Sequence, residues 1–295
     1  NTCGVPAVYV TNNASRSPEA VAKMLADIGL KAGNEQIVTS AQAVLQLAAE
    51  EVPAGAKLLI IGADSLRDLA LDMGFKVVSS AVDKPAAVVQ GFDRSVGWEH
   101  LTEGALAIRQ GAKFFASNLD TSLPIERGLA VGNGSLVAAI QSATGVEPVS
   151  AGKPEPAMFT FAAKQIGATK PLAVGDRLDT DIAGGNSAAM DTFHVLTGVS
   201  GELELIEAPV EARPNFIGAG MHELALPVSV ARPGAQGGFT ARCDGHDLLL
   251  EGGDEKSTSV QALRTVLEVA WAMPSPPRYI QPRSERAEKV VAQWR

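Results

Sequence analysis

Three carboxylates crowd the end of one apolar run. Leu172-Ala173-Val174-Gly175 has the pattern of a buried parallel strand, and Asp176, Asp179 and Asp181 follow before Ile182 and a set of small residues open a helix. In open α/β sheets, ligands bind in the crevice beyond the carboxyl ends of the strands. Hard oxygen donors gathered there suit Mg²⁺. The same aspartates would serve equally well as helix caps, a position that favours Asp.

Two other stretches carry candidate chemistry. Thr11-Asn12-Asn13 follows the short apolar run Ala7-Val8-Tyr9-Val10. A hydroxyl and backbone amides at a strand's carboxyl end can hold a phosphate oxygen, or simply form a polar turn. In Ser150-Ala151-Gly152-Lys153-Pro154-Glu155-Pro156, a glycine and a proline fix one lysine ahead of a helix over 157–166. Most lysines are solvated surface charges. One held rigidly can neutralise a carboxylate nucleophile and a phosphoryl group together.

The elements that must position these residues alternate along the chain. Ser17-Pro18-Glu19 caps a helix whose Val21, Met24, Leu25 and Ile28 share a face and which stops at Gly29. Thr39 and Gln42 are spaced as a capping box for a helix over 39–51. Strands are expected at 57–62, 77–78, 86–89 and 113–116, with helices at 66–73 and 98–110 between them. Gly132-Asn133-Gly134 reads as a turn, with Ser135 capping a helix that carries Leu136, Val137 and Ile140. Further short core strands are expected at 193–196 and 215–217. Such alternation defines an α/β protein. After about Leu226 prolines and glycines form a linker. A hairpin around Asp244-Gly245, a helix over 258–272 with Val260, Leu263, Val266, Leu267 and Ala270 on one face, and an amphipathic tail over 285–295 follow.

Bulk composition narrows the function. The 295 residues allow two or three domains, and 46% hydrophobic with 20% charged content is ordinary for a globular chain. A formal net charge of −8 argues against a nucleic-acid surface. No apolar run is long enough to span a membrane and no signal peptide is visible. Two distant cysteines, Cys3 and Cys243, argue against a disulfide framework and fit a reducing cytoplasm. His100, His194, His222 and His246 are scattered and read as structural or surface histidines, with no zinc spacing among them.

Taken in order, the three stretches resemble the haloacid dehalogenase superfamily of phosphatases. The resemblance is to the branch with a large α/β cap between its second and third motifs, which includes nitrophenyl, ribonucleotide and phosphoglycolate phosphatase types. Val10-Thr11-Asn12-Asn13 matches the second motif, Gly152-Lys153-Pro154 the third, and Gly175-Asp176-Arg177 through Thr180-Asp181-Ile182 the fourth. Gly91-Phe92-Asp93 and Ala116 to Asp120 match signatures of the cap. The resemblance implies a Rossmann-like parallel-sheet core with an inserted α/β cap domain and a small C-terminal α+β extension. Its domain organisation would be core over 1–52, cap over 53–147, core again over 148–226 and extension over 227–295.

The resemblance also assigns roles. Thr11 would bond the phosphoryl oxygen, with Asn12 and Asn13 framing the substrate. Lys153 would balance charge at the nucleophile. Asp176 would bind Mg²⁺, and Asp181 would orient a metal-bound water or Lys153. The loop from Asn118 through Asp120 to Thr121 would cover the site and contact the leaving group. Family members attack phosphorus with an aspartate, forming an aspartyl phosphate. That aspartate belongs to an Asp-x-Asp on a first strand, which should precede Asn1; Asp179-Thr180-Asp181 belongs to the fourth motif instead. The expectation is therefore that an N-terminal strand is missing from this sequence, and that a polypeptide truly starting at Asn1 would be inactive.

The expected function is Mg²⁺-dependent hydrolysis of a small phosphorylated metabolite by a cytoplasmic homodimer. Some relatives of this branch carry a short acetyltransferase-like extension and act on glycerol 3-phosphate, which makes it the first substrate expected. A nucleotide, phosphoglycolate or sugar phosphate is the alternative substrate. A phosphonatase would need a cap lysine for which no motif appears, and a non-catalytic binding module is the reading if the first aspartate pair is absent.

Overall fold

A computed structural model describes residues 4–294, so Cys3 lies outside the described residues. The chain divides into two units, residues 1–169 and 170–295.

The first unit begins with β1 (Tyr9–Thr11), α1 (Pro18–Asp27), β2 (Ile37–Thr39) and α2 (Ser40–Glu51). Strands β1 and β2 pair in parallel, with Thr11 opposite Thr39. There follow β3 (Lys57–Ile61), α3 (Asp64–Asp72), β4 (Lys76–Val78), β5 (Ala87–Gln90), α4 (Trp98–Arg109) and β6 (Lys113–Ala116). The unit closes with β7 (Ser122–Ile125), β8 (Gly128–Val131), α5 (Asn133–Thr144), β9 (Val149–Ser150) and α6 (Ala157–Gln165).

A parallel sheet in the order β4-β3-β5-β6-β9 is the frame of this unit. Its inner strands β3, β5 and β6 are largely apolar because both faces are covered. Leu58, Ile60, Val89 and Phe115 face one core, with Val38, Val44, Leu45 and Met158. Leu59, Ile61, Val88 and Phe114 face the other, with Val137 and Ile140 of α5. The caps form as their residues dictate: Ser17 accepts from Ala20, and Thr39 and Gln42 exchange both bonds of a capping box.

Three features depart from the sequence expectation. The antiparallel hairpin β7–β8 was not foreseen, since Pro124 interrupts the first strand and both strands are largely exposed, leaving no alternation to read. Helix α5 starts at Asn133, not after Ser135, whose hydroxyl donates to the Thr121 carbonyl instead. Of the expected apolar face, Met24 on α1 and Ile28 at its C-cap are exposed, while Pro18 and Ala22 are the buried positions of the helix.

The second unit opens with β10 (Leu172–Gly175), a single wide turn over 178–182, α7 (Ala183–Ser187), β11 (Asp191–Val195), α8 (Glu202–Glu207), β12 (Phe216–Gly218) and α9 (Val228–Ala231). The three strands pair in parallel in the order β10-β11-β12. Next come β13 (Phe239–Asp244), β14 (Asp247–Gly252), α10 (Ser259–Ala270), β15 (Ile280–Pro282) and α11 (Glu285–Val291). The expected hairpin is β13–β14, turning on Gly245 and His246, with β15 parallel to β14.

Residues on both sides of position 227 share one core. Leu178, Ile182, Leu205, Ile206 and Ile217 pack with Leu248, Leu250, Leu263, Val266 and Leu267. Buried Arg264 of α10 donates to the Ile217 carbonyl and pairs with Glu223, so its charge is satisfied where it would otherwise be costly. Among the described residues no helix is long and apolar enough to cross a membrane.

Candidate active site

In the first unit the loop after β1 is built around Asn12. Its carboxamide grips Lys153 through the backbone: Asn12 Oδ1 accepts from Lys153 N–H at 2.9 Å, and Asn12 Nδ2 donates to the Lys153 carbonyl at 3.3 Å. The same Nδ2 donates to Asp120 Oδ2 at 3.2 Å. The Asn12 carbonyl is held in turn by Asn118 Nδ2 at 2.8 Å and by Ser40 Oγ at 2.7 Å. Asn13 uses its carboxamide oxygen locally, accepting from the N–H and hydroxyl of Ser15, while its N–H donates to Thr11 Oγ1 at 3.2 Å. A hydroxyl that accepts one bond still has its own hydrogen to donate.

This unit thus brings together Thr11, Asn12, Asn13, Asn118, Asp120 and the backbone of Lys153. The Lys153–Pro154 peptide is cis. Glycines allow the close approach. A Cβ on Gly152 would lie 2.6 Å from Asn118 Cβ, and Cβ atoms on Gly132 and Gly134 would strike the carbonyls of Asp120 and Leu119 at 2.3 and 2.1 Å. Such contacts exclude any side chain, so the 118–120 loop is seated against three glycine backbones.

In the second unit β10 delivers Asp176 and the following turn delivers Asp181. Asp176 Oδ2 accepts from Val199 N–H at 2.7 Å, and the Asp176 carbonyl accepts from Ser200 N–H at 3.0 Å. Asp181 Oδ2 accepts from Arg177 N–H at 3.2 Å. Both carboxylates lie in cradles that a methyl group would fill: a Cβ on Gly198 would sit 1.9 Å from Asp176 Oδ2, and one on Gly175 would sit 2.2 Å from Asp181 Cβ. Arg177 and Asp179 pair with each other at 2.6 Å, and that bond holds the Asp179 carboxyl below the usual range.

The donors of this cradle suit a hard divalent cation. They are carboxylate oxygens on a short, backbone-anchored loop. Among the described residues no three His, Cys, Asp or Glu groups converge. Mg²⁺ commonly takes one or two protein carboxylates, with phosphate and water completing its shell, so the residues present fit that ion.

Sequence reasoning did not single out Ser40, His194, Gly198 or Ser200. His194 is fully buried on β11, where it stands opposite Gly175, and its ring meets the Ser200 carbonyl at 3.0 Å through Nε2. Nothing in a lone histidine within a short strand signals that contact. Gly198 is legible only once its neighbour is known.

Comparison with known proteins agrees with the motif order. Residues 1–76 match the haloacid dehalogenase-like hydrolase family model, and residues 150–224 match an HAD-hydrolase-like model. The D-glycerol 3-phosphate phosphatase of Mycobacterium tuberculosis is 41% identical over 298 residues, covering 97% of this chain and 84% of that protein. The acid sugar phosphatase of Staphylococcus aureus is 39% identical over 202 residues, covering 68% of this chain and 77% of that one. Among solved structures, the glycerol phosphate phosphatase of M. tuberculosis in complex with magnesium superimposes with a TM-score of 0.93 at 38% identity, covering 99% of this chain and 88% of that one. A thermostable NPPase from Geobacillus stearothermophilus gives a TM-score of 0.65 at 38% identity, covering 68% and 80%. The chain belongs to the haloacid dehalogenase-like hydrolases, on the phosphatase branch that carries a large α/β cap.

Proposed function

We propose that this chain is a Mg²⁺-dependent phosphatase of small phosphorylated metabolites, with glycerol 3-phosphate as its substrate. The observation that carries the substrate is coverage. The glycerol 3-phosphate phosphatase aligns over 97% of the chain, whereas the acid sugar phosphatase aligns over 68%. Residues 227–295 share a core with residues 178–217, so likeness through that region is likeness in the body of the second unit. The acid sugar phosphatase supports a sugar phosphate as the second reading.

In this reading Thr11 donates its hydroxyl to a phosphoryl oxygen. The ammonium of Lys153 offsets the negative charge that the phosphoryl group and its attacking carboxylate bring together. Asn12 and Asn118 act through position: one fixes the Lys153 backbone, the other fixes Asn12. Asp120 and the glycine-seated loop around it contact the leaving group. Asp176 would hold Mg²⁺ and Asp181 would orient a metal-bound water. When bound, Mg²⁺ would neutralise phosphate charge and favour in-line displacement. The Asp-x-Asp pair expected to carry the attacking aspartate is not among residues 1–295.

The domain reading follows the same family: core over 1–52 and 148–226, cap over 53–147, extension over 227–295. We also propose a reducing cytoplasm, which suits the exposed free thiol of Cys243. A homodimer through the β7–β8 hairpin is our reading of quaternary structure. Among the described residues that hairpin pairs with no third strand, and it exposes Ile125, Leu129 and Val131; an antiparallel edge is self-complementary under a two-fold axis.

The deciding experiment is phosphate release with and without Mg²⁺ on glycerol 3-phosphate, sugar phosphates, nucleoside monophosphates, phosphoglycolate and nitrophenyl phosphate. Glycerol 3-phosphate should be cleaved best and only with Mg²⁺. Lys153→Ala and Asp176→Asn should each lower turnover by at least about 100-fold while leaving the circular dichroism spectrum unchanged. No release on any substrate would leave the non-catalytic binding reading instead.

A further inference from the structure

A histidine on a buried stretch of strand is an expensive choice. His194 is fully buried, and its Nδ1 has no hydrogen-bond partner among the described residues. An unpaired polar atom in a core costs stability that an apolar side chain of similar size would not. Packing alone therefore does not account for an imidazole at this position. What the ring does contribute is its other nitrogen. Because a carbonyl can only accept, the 3.0 Å contact with Ser200 O requires a hydrogen on Nε2.

Ser200 lies at the centre of the loop that holds Asp176. Its N–H donates to the Asp176 carbonyl at 3.0 Å, and its hydroxyl accepts from Leu178 N–H at 3.3 Å. The preceding residue, Val199, donates its N–H to Asp176 Oδ2. Gly198 passes so close to that carboxylate that no Cβ fits. The far end of the loop is anchored as well, with Gly201 N–H donating to Glu204 at 3.0 Å. The 196–201 loop thus reaches Asp176 from both its backbone and its carboxylate, and His194 ties the loop to the strand beneath it.

We infer that His194 is a positioning residue for the metal site: by donating from Nε2 to the Ser200 carbonyl, it fixes the loop whose amides orient the Asp176 carboxylate. The inference rests on the assignment of Asp176 to Mg²⁺. Partners that orient a metal ligand change affinity when removed, typically 10–100-fold. His194 itself touches neither substrate nor metal in this role.

Two variants separate positioning from bulk. His194→Leu fills the space with no donor, and His194→Gln keeps a donor. Hydrogen–deuterium exchange of the metal-free intact chain reads the loop directly. Peptides covering 196–201 should exchange faster in His194→Leu and return toward the wild-type rate in His194→Gln, with peptides from the five-stranded sheet unchanged. Calorimetric titration with Mg²⁺ alone should show about tenfold weaker binding in His194→Leu and partial recovery in His194→Gln. Unchanged exchange over 196–201 in His194→Leu would overturn the inference. So would equal loosening in both variants, since that would make the role one of packing. Wild-type protein that takes up no Mg²⁺ would sink the assignment of Asp176 instead, while the exchange measurement would still decide whether His194 holds the loop.

Discussion

At the scale of single residues, burial sets the protonation of His194. Loss of solvent disfavours the imidazolium and pushes its pKa below the ordinary histidine value. The Ser200 carbonyl and the carboxylates of Asp176, Asp181 and Glu204 pull the other way. The sign of the consequence follows from proton counting. Below about pH 6.5 the unfolded chain protonates this histidine, whereas the folded chain resists until its lower pKa is reached. The unfolded state therefore binds more protons in that window, and stability falls as pH drops through it. Urea denaturation between pH 7.5 and 5.5 should show this decline in wild type and a shallower one in His194→Leu. An identical slope in the two proteins would remove His194 from the account. The residue-level chemistry of the site was partly legible in sequence. Asp176, Asp181 and Lys153 stand out because charged residues beside glycine and proline break an apolar pattern. His194 does not, because its partner is a backbone carbonyl, which no side-chain pattern encodes.

At the scale of elements, strands and caps were readable wherever local physics decides them. The Thr39–Gln42 box and the run Lys57–Ile61 formed as expected, since each depends on neighbours within a few residues. The start of α5 did not, because tertiary contact overrode capping: Gly134 N–H bonds the Asp120 carbonyl and its Cα abuts Leu119. The β7–β8 hairpin escaped notice because it buries little. That exposure makes a prediction about assembly. Leu129 is 78% exposed and Val131 61% on a strand whose outer edge is unpaired among the described residues. If this edge pairs with a second copy, Leu129→Lys should convert a dimer to a monomer in sedimentation equilibrium. The substituted protein should keep its far-ultraviolet spectrum. A mass unchanged by the substitution would rule the hairpin out as the interface.

At the scale of the whole molecule, the C-terminal residues are structural. The sequence alone suggests an appendage after Leu226, joined through prolines and glycines. The apolar face of α10 was legible there, but not what it packs on. It packs on Leu178, Ile182, Leu205, Ile206 and Ile217, so residues from before the linker complete the same core. Burying one such side chain contributes roughly 1.5–3 kcal/mol, and a domain's entire stability is about 5–15 kcal/mol. Deleting 227–295 should therefore unfold the second unit. Limited proteolysis of the truncated chain should cut rapidly within 170–226 and leave a fragment ending near residue 169. Resistance across 170–226 would show that those residues fold alone. Because Asp176 directly follows β10 of this unit, such a truncation should also abolish Mg²⁺-dependent phosphate release.

The grip of Asn12 on Lys153 bears on the entropy of binding. A lysine on an ordinary loop must freeze both its backbone and its long side chain when an anion arrives, and each backbone residue so fixed costs roughly 1–2 kcal/mol. Here the N–H and carbonyl of Lys153 are already held by one carboxamide. The backbone's share of that cost is therefore met when the chain folds and not when substrate binds.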